Sequence, residues 1–414
     1  MKNTLSLPKE KIKILLFENI NTSAVDVFRE NGYTTIESLG KALSEDGLSK
    51  KISDAHIVGI RSGTNLSQTA LKHAARLIAV GCFCIGTNQV DLTAAAALCI
   101  PVFNAPHSNT RSVAELIIGL SVMLMRGIFP KSMAAHNHQW IKSASGSNEL
   151  RGKTIGIIGY GHIGSQVSVL AEAMGMRVIY YDIRTRLPLG NAAQTETLEL
   201  LIKSSDIVTL HVPEDETTIN MINRLRLRLM KKTACLINAS RGSVVDIDAL
   251  ADLMKDGHLR GAAVDVFPRE PESALEAFHS PLIGMPNVIL TPHIGGSTQE
   301  AQRNIGSEVA MKLIGFSDLG NTEGAVNFPN VNLRPNEQAT RLLHIHENRP
   351  GMLRAINEII AERGINVTGQ YLETKNEIGY VVLDVQPFGS GKVTKALRAD
   401  LEKIEGTIRT RVLY

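Results

Sequence analysis

The feature that most constrains the fold of this chain is the sequence GYGHIG at positions 159–164, directly after the apolar run TIGIIG. The pattern GxGxxG is weak evidence alone, but here it stands between a strand buried on both faces and the start of a helix. In that context Gly159 makes a tight turn, Gly161 lets the backbone approach a pyrophosphate, and Gly164 allows close packing of helix on strand. Free N–H groups at the helix N-terminus favour the anion. The sequence therefore predicts a dinucleotide site.

An acidic residue indicates which dinucleotide is bound. Asp182 ends the next predicted strand, about 20 residues beyond the glycines, where a carboxylate accepts hydrogen bonds from ribose hydroxyls. The same charge repels the extra phosphate of NADP, so NAD is the predicted cofactor. Arg184 and Arg186 follow closely and would weaken this preference, which leaves NADP as an alternative.

Short apolar runs alternate with helical patterns in two successive stretches of the chain. In the first stretch, strands are predicted at Lys13–Phe17, Ile57–Ile60 and Leu77–Val80. In the second, they are predicted at Thr154–Gly159, Arg177–Tyr181, Ile207–His211, Ala234–Asn238, Gly261–Val266 and Val288–Thr291. The alternation predicts an α/β protein whose cofactor domain is a doubly wound parallel sheet of the Rossmann type.

The C-terminal part has a different order. Ser317–Gln338, rich in Asn, Gly and Pro, is predicted to be a linker. A strand (Leu342–His346), a helix (Arg349–Arg363, with Pro350 near its first position), a hairpin (Ile365–Thr374 and Ile378–Gln386), a second helix (Ser390–Ile404) and a last strand (Thr407–Leu413) follow. The order βαββαβ is that of a ferredoxin-like α+β domain.

Composition excludes several classes of protein. The net charge of +3 is too small to indicate a nucleic-acid or membrane partner. The basic run Arg224–Lys232 is interpreted as a solvated helix face rather than a nucleic-acid patch. Cys82, Cys84, Cys99 and Cys235 have no metal-ligand spacing, so we predict no metal and a reducing compartment. Met1–Lys11 lacks the apolar core of a signal peptide, and Leu116–Met125 is too short to span a membrane, so a cytoplasmic location is expected.

Three side chains suited to 2-hydroxy acid chemistry follow successive predicted strands: Arg241, Glu270 and His293. Ligands of open α/β sheets bind at the carboxyl ends of strands. A guanidinium can hold a carboxylate through two hydrogen bonds, and an imidazole beside a carboxylate favours its protonated form. Taken singly, each residue also fits a surface ion pair or a loop contact. Together they predict a hydride-transfer site.

The chain resembles the D-isomer-specific 2-hydroxyacid dehydrogenases over nearly its whole length. The resemblance is carried by GCFCIGTNQVDL (81–92), NAPHSNTRSVAEL (104–116), GIIGYGHIG (156–164), INASRG (237–242), DVFPREP (265–271), TPHIGGST (291–298) and HIHENRPG (344–351). The members that this chain resembles act on D-3-phosphoglycerate and carry a C-terminal ACT domain. For this chain it implies a substrate domain at 1–107 completed by 297–332, a dinucleotide-binding domain at 108–296, the linker at 317–338 and an ACT-like regulatory domain at 339–414. The split, flavodoxin-like substrate domain is implied by the resemblance alone.

The resemblance also implies residue roles. Arg241 binds substrate, Glu270 supports the histidine, and His293 is the acid/base. The residues lining the dinucleotide are His162, Ile163, Asp182, Ala239, Ser240, Arg241, Asp265, His293, Ile294, Gly295 and Gly296. Asp265 would face the nicotinamide amide.

The implied reaction is the NAD-dependent oxidation of D-3-phosphoglycerate to 3-phosphohydroxypyruvate, the entry to L-serine synthesis, with 2-oxoglutarate as a further substrate. A phosphate needs cations, and the candidate substrate residues are Arg61, Ser62, Asn109 and Lys142. The resemblance implies a second basic residue at position 63, where this chain has Gly63. Hydroxypyruvate or glyoxylate therefore stays open as the substrate, and an NAD-sensing regulatory protein is the alternative of another class.

The ACT-like tail implies an effector. His346, Asn348 and Asn366 match residues that hold L-serine in the resembling dehydrogenases and lie where two such domains can pair. The alternative is that they are ordinary turn and cap residues. By the same resemblance, paired tails and paired cofactor domains predict a homotetramer.

Overall fold

The computed structural model describes residues 7–271, 276–336, 338–386 and 391–413. The chain forms two compact units, one made of Met1–Ser108 with Gln302–Tyr414 and the other of Asn109–Ala301. The assignment of the first unit to substrate binding stays a prediction.

The first unit begins with a five-stranded parallel sheet. Its strands and helices, in chain order, are β1 (Ile14–Leu16), α1 (Thr22–Glu30), β2 (Ile36–Ser38), α2 (Glu45–Ile52), β3 (Ile57–Ile60), α3 (Gln68–His73), β4 (Ala79–Cys82), α4 (Leu92–Ala97) and β5 (Val102–Asn104). The strand order β2-β1-β3-β4-β5 is the flavodoxin-like order that was predicted. The predicted strand Leu77–Val80 begins two residues too early, because the register of β3 with β4 starts at Ala79 and not at the apolar residues before it.

The second unit contains a seven-stranded parallel sheet with helices on both faces. Its elements are α5 (Thr110–Arg126), α6 (Ile128–His136), β6 (Thr154–Ile158), α7 (His162–Ala173), β7 (Arg177–Tyr181), β8 (Ala193–Gln194), α8 (Leu198–Ser204), β9 (Ile207–Leu210), α9 (Arg224–Leu229), β10 (Cys235–Asn238), α10 (Ile247–Lys255), β11 (Gly261–Val264) and β12 (Val288–Leu290). The order β12-β11-β10-β9-β6-β7-β8 places β6 between β7 and β9. The prediction of a doubly wound Rossmann sheet is confirmed.

Two apolar cores hold this sheet between its helices. Leu201 of α8 and Leu250 of α10 are buried against one face, and Ile117 of α5 and Val167 of α7 against the other. Because both faces are covered, the central strands are mostly apolar, and β10 carries its one polar side chain, Asn238, at its carboxyl end. In the part of the chain that the structure describes, no single helix is long and apolar enough to cross a membrane; α5 and α6, bent by 68°, reach that length only as a pair.

The basic residues of and after α9 are largely occupied by ion pairs with neighbouring acids. Arg224 lies 2.5 Å from Asp252, and Arg226 lies 3.0 Å from Glu199. Lys231 binds another acid, Asp206, in the same way at 2.9 Å. Their charges are therefore balanced within the unit.

A long helix corrects the start of the predicted linker, Ser317–Gln338. The helix α11 (Gln299–Leu319) extends through the first three of these residues. It ends at Gly320, whose φ of +75° suits a helix C-terminus. The carbonyl oxygen of Leu319 accepts a hydrogen bond from Arg341 at 3.0 Å. Composition alone does not reveal this partner, which satisfies the last turn of the helix.

The tail forms a four-stranded antiparallel sheet with the predicted βαββαβ order. Its elements are β13 (Thr340–Glu347), α12 (Met352–Glu362), β14 (Val367–Lys375), β15 (Ile378–Val385), α13 (Gly391–Leu401) and β16 (Thr407–Leu413), in the spatial order β14-β15-β13-β16. The first helix begins at Met352 rather than at Arg349, because Gly351 takes a left-handed conformation (φ +91°) just before it. The predicted start of the second helix, Ser390, lies outside the described residues.

Candidate active site

The glycine-rich turn joins β6 to α7, and its three glycines differ in their surroundings. A Cβ on Gly159 would lie 2.3 Å from the carbonyl oxygen of His211, and one on Gly164 would lie 2.1 Å from that of Gly159. Gly161 has no atom within 4 Å of its Cβ position. Two glycines are thus required by packing, while the third borders open space in front of the helix N-terminus. This turn fits a pyrophosphate.

Asp182, at the end of β7, is held beside the turn by backbone groups. Its carboxylate accepts hydrogen bonds from the N–H of Tyr160 and the N–H of Arg184, each at 2.9 Å. The Arg186 guanidinium lies 3.4 Å away and balances part of its charge. The carboxylate keeps lone pairs for ribose hydroxyls, so the predicted ribose contact is sterically and chemically compatible with this arrangement.

The loop after β10 is organised by a buried asparagine. The side-chain oxygen of Asn238 accepts from both the N–H and the hydroxyl of Ser240, and its amide donates to the Arg241 carbonyl at 2.9 Å. A Cβ on Gly242 would lie 2.0 Å from the backbone of Phe267. The loop that carries Arg241 therefore packs directly against the loop that leads to Glu270.

Asp265, which follows β11, is only 1% exposed and organises the loop after β12. One carboxylate oxygen accepts from the Thr291 hydroxyl (2.5 Å) and the Ile294 N–H (2.9 Å), and the other from the Gly295 N–H (2.9 Å). Its carbonyl accepts from the N–H of His293 at 2.8 Å. The predicted contact with nicotinamide remains a prediction, and Asp265 also positions this loop.

His293 and Glu270 form a hydrogen-bonded pair. His293 Nδ1 lies 2.8 Å from Glu270 Oε2, and the other carboxylate oxygen accepts from the Phe267 N–H at 3.1 Å. His293 adopts φ +54°, a left-handed conformation that is uncommon for residues other than glycine. Because Nδ1 is occupied by Glu270, Nε2 is the nitrogen left for a substrate.

Electrostatics tune this pair in opposite directions. The hydrogen bond and negative charge of Glu270 raise the pKa of His293, although burial opposes the rise. Burial alone would raise the pKa of Glu270, but the bonds from His293 and Phe267 and nearby positive charge hold that pKa below its ordinary value. The positive charge of Arg241 helps to lower the pKa of Glu270 and opposes the rise in the pKa of His293. The structure thus brings the three predicted catalytic residues together, with a protonated imidazole favoured.

A cavity of about 590 Å³ adjoins the pair. Phe267, Phe278 and Ile283 form part of its apolar wall, and Glu270 and His293 reach its surface. The side chains of His293 and Glu270 are 54% and 36% exposed, so water still screens part of the attraction between them.

The predicted substrate residues are distributed over both units. Asn109 is buried against the catalytic loop, since a Cβ on Gly296 would lie 2.5 Å from its amide nitrogen. Lys142 lies on an exposed segment between α6 and β6. Arg61 and Ser62 follow β3 in the first unit, so their roles at the substrate stay predictions.

The predicted effector residues do not meet within one chain. His346, near the end of β13, is opposite Gly379, and the Asn348 side chain donates to the Asn376 carbonyl at 3.1 Å. The backbone carbonyl of Asn366, in contrast, accepts from the N–H of Gln386, at the other end of β15. At the usual rise per residue the two ends are roughly 23 Å apart.

Sequence reasoning missed the roles of Asn238 and of Asp265 in shaping the loops. A signal was available, because each polar residue stands at or just after the end of an otherwise apolar central strand. A polar group in that position needs a partner, and loop N–H groups are the nearest donors.

Comparison with known families agrees with this geometry. Residues 118–295 match the model of the D-isomer specific 2-hydroxyacid dehydrogenase NAD-binding domain, and residues 342–409 match that of the AHAS small subunit-like ACT domain. The chain belongs to the D-isomer-specific 2-hydroxyacid dehydrogenase family and is an NAD-dependent oxidoreductase.

Individual relatives narrow the class further. The chain is 56% identical to the D-3-phosphoglycerate dehydrogenase of Haemophilus influenzae over the whole length of both chains. It is 55% identical to that of Escherichia coli over 410 residues, 99% of each chain. Among solved structures, the D-lactate dehydrogenase of Aquifex aeolicus complexed with NAD and lactic acid superposes with a TM-score of 0.64 and 26% identity, covering 73% of this chain and 95% of that one.

Proposed function

We propose that this chain catalyses the NAD-dependent oxidation of D-3-phosphoglycerate to 3-phosphohydroxypyruvate, the first step of L-serine biosynthesis, in the cytoplasm. The observation that carries the chemistry is the 2.8 Å contact of His293 with Glu270, next to Arg241 at the carboxyl edge of the dinucleotide-binding sheet. The substrate is inferred from the full-length similarity to D-3-phosphoglycerate dehydrogenases.

The roles of the three residues follow from their charges. NAD, when bound, supplies the acceptor for the hydride that leaves C2 of the substrate. His293 takes the proton of the C2 hydroxyl on Nε2, and Glu270 stabilises the imidazolium that forms. Arg241 holds the substrate carboxylate and polarises the neighbouring oxygen. In the reverse reaction the protonated His293 donates this proton to the carbonyl oxygen.

Arg61, Ser62, Asn109 and Lys142 are proposed to contact the substrate, with the two cations directed to its phosphate. We also propose that 2-oxoglutarate is reduced, because it presents the same 2-oxo acid group to Arg241 and His293. A second candidate function, reduction of hydroxypyruvate or glyoxylate, is favoured by Gly63, which leaves only one cation on the Arg61 loop.

The two candidates are separated by steady-state kinetics of the purified chain with NADH. We expect kcat/KM for 3-phosphohydroxypyruvate to exceed that for hydroxypyruvate by about a hundredfold, the value of two charge-assisted contacts. Equal values would favour the second candidate. Binding of NAD without turnover of any 2-oxo acid would instead indicate an NAD-sensing regulatory protein.

We propose that L-serine is an effector bound between two ACT domains. β14 is an edge strand with mostly exposed residues, and antiparallel pairing of two copies through it would bring Asn366 of one copy towards His346 and Asn348 of the other. A second contact is proposed at the exposed apolar residues Ile141 and Trp140, the latter 86% exposed. Two different two-fold contacts generate a homotetramer.

Calorimetry with serine and light scattering test this part separately. Binding of serine with loss of activity, in a particle of four chains, is the expected result. A monomer that retains serine binding would contradict the shared site.

A further inference from the structure

Glu18 stands in an unusual turn at the carboxyl end of β1. Glu18 and Asn19 have φ values of +60° and +50°, so two consecutive residues with side chains adopt the left-handed conformation. Left-handed backbone conformations are unfavourable for residues other than glycine, and they persist where surrounding contacts impose them. The turn directs the Glu18 carboxylate to the loop after β3, the neighbouring strand of the sheet.

The carboxylate binds the backbone of the loop that carries Arg61. Oε1 of Glu18 accepts from the Arg61 N–H at 3.1 Å, and Oε2 accepts from the Gly63 N–H at 2.8 Å. From another side, the amide of the buried Gln89 donates to the Arg61 carbonyl at 3.2 Å. Both backbone polar groups of Arg61 are therefore held by side chains from other loops.

The guanidinium of Arg61 contacts a neutral group in this arrangement. Its Nη1 lies 3.4 Å from the carbonyl oxygen of Glu18, a neutral group, and within the residues that the structure describes it forms no ion pair with a carboxylate. Because the carboxylate of Glu18 is occupied by N–H groups, the positive charge of Arg61 remains available to an anion. The loop is thus fixed without neutralising the cation on it.

Gly63 is what allows this contact to be so close. A Cβ at this position would lie 2.9 Å from Oε2 of Glu18. The nearest atom outside that carboxylate, the Cβ of Ala42, would be 3.9 Å away. Any side chain here would displace the carboxylate, which is the flexible end of a side chain and can move without disturbing the fold. The close contact of Glu18 with this loop therefore depends on glycine at position 63.

We propose that Glu18 is a positioning residue that, through the backbone of Arg61, sets the preference of this enzyme for a phosphorylated over an unphosphorylated substrate. The inference rests on the proposed function, because it takes Arg61 as a contact of the substrate phosphate. In this proposal Glu18 acts only through the backbone N–H groups of Arg61 and Gly63.

The experiment compares kcat/KM for 3-phosphohydroxypyruvate with kcat/KM for hydroxypyruvate, using NADH and the full chain. We expect Glu18→Ala to lower the ratio of the two values about tenfold, since a small misplacement of a binding group is enough for such a loss. Glu18→Gln, which keeps an acceptor but loses the charge, is expected to lower it about threefold. The change should lie in KM for the phosphorylated substrate rather than in kcat.

Two further comparisons identify the path of the effect. In an Arg61→Ala background, Glu18→Ala should change the ratio no further, because residues that act through one another are not additive. Gly63→Ala should lower the ratio in wild type and leave it unchanged in the Glu18→Ala background. The matched control is Glu37→Gln. Glu37 lies in β2 of the same sheet and pairs with Lys51 of α2, so the variant removes a glutamate charge away from the Arg61 loop.

The outcomes separate this inference from the function on which it rests. A wild-type chain without preference for the phosphorylated substrate overturns the proposed function. A wild-type preference that Glu18→Ala and Gly63→Ala leave unchanged overturns only the inference. If Glu18→Ala lowers kcat/KM equally for both substrates and also lowers Tm, Glu18 has only a structural role. That result would also overturn the inference.

Discussion

The predicted catalytic residues and the predicted effector residues of this chain are distributed in opposite ways. Arg241, Glu270 and His293 follow neighbouring strands of one parallel sheet, and a single chain brings them together. His346, in β13, and Asn366, just before β14, lie opposite the two different ends of β15 in an antiparallel sheet. Parallel strands gather their carboxyl ends at one edge, whereas a hairpin sends consecutive strand ends to opposite edges. One chain therefore brings the three predicted catalytic residues together, whereas the proposed serine site would need two chains.

The largest expected effect is that of removing the acid/base within the self-contained site. His293→Ala should lower kcat about 10³-fold in either direction, within the range of general acid–base catalysis, while NAD binding is retained. Stopped-flow turnover and fluorescence titration of the nucleotide measure the two quantities. His73→Ala, at an exposed histidine of α3, is the control. Retained turnover in His293→Ala would remove the basis of the comparison.

The proposed effector site, shared by two chains, makes a prediction about mixed assemblies. His346→Ala or Asn366→Ala should each weaken inhibition by serine about a hundredfold, because one partner of the ligand is lost at every site. Mixing the two variants should restore one intact site in each mixed pair, since one site combines the unaltered residues of both chains. Inhibition curves of co-refolded variants measure this recovery. If mixing restores nothing, the two residues do not share a site across chains.

Within the catalytic pair, Glu270→Gln should have a smaller effect, about 30-fold on kcat, because the ring loses the charge that stabilises it. Glu270 raises the pKa of His293, so the reduction reaction, which needs the protonated ring, falls as pH rises through that raised pKa. In the variant this fall should occur at lower pH. The profile of kcat/KM against pH for oxo-acid reduction is the measurement, and an unshifted profile would contradict the tuning by Glu270.

The smallest expected effect concerns the ribose end of the same sheet edge. Asp182→Ser removes a charge that Arg186 balances only in part, so use of NADPH relative to NADH should rise about tenfold. The ratio of kcat/KM for the two reduced cofactors measures it. Adding Arg184→Ala should reverse part of the gain if that exposed arginine receives the extra phosphate.

Much of the fold followed from local patterns, and its errors have local causes. β2 (Ile36–Ser38) and β5 (Val102–Asn104) were not predicted, because neither contains more than two consecutive apolar residues, too few to show a strand pattern. The continuation of α11 to Leu319 was missed because the partner of its last carbonyl, Arg341, lies on the tail. Composition favoured a linker there, and a tertiary hydrogen bond favoured a helix.

The sequence by itself determined most of the order of elements, the glycine-rich turn and the chemical identity of the proposed catalytic groups. These depend on residue spacing, on glycines and on side-chain type, all of which are local properties. Only the tertiary structure decided that Glu270 reaches Nδ1 of His293, that Glu18 braces the Arg61 loop, and that Asn366 is separated from His346. Strand order and register set these distances, and they arise from packing between segments far apart in the chain.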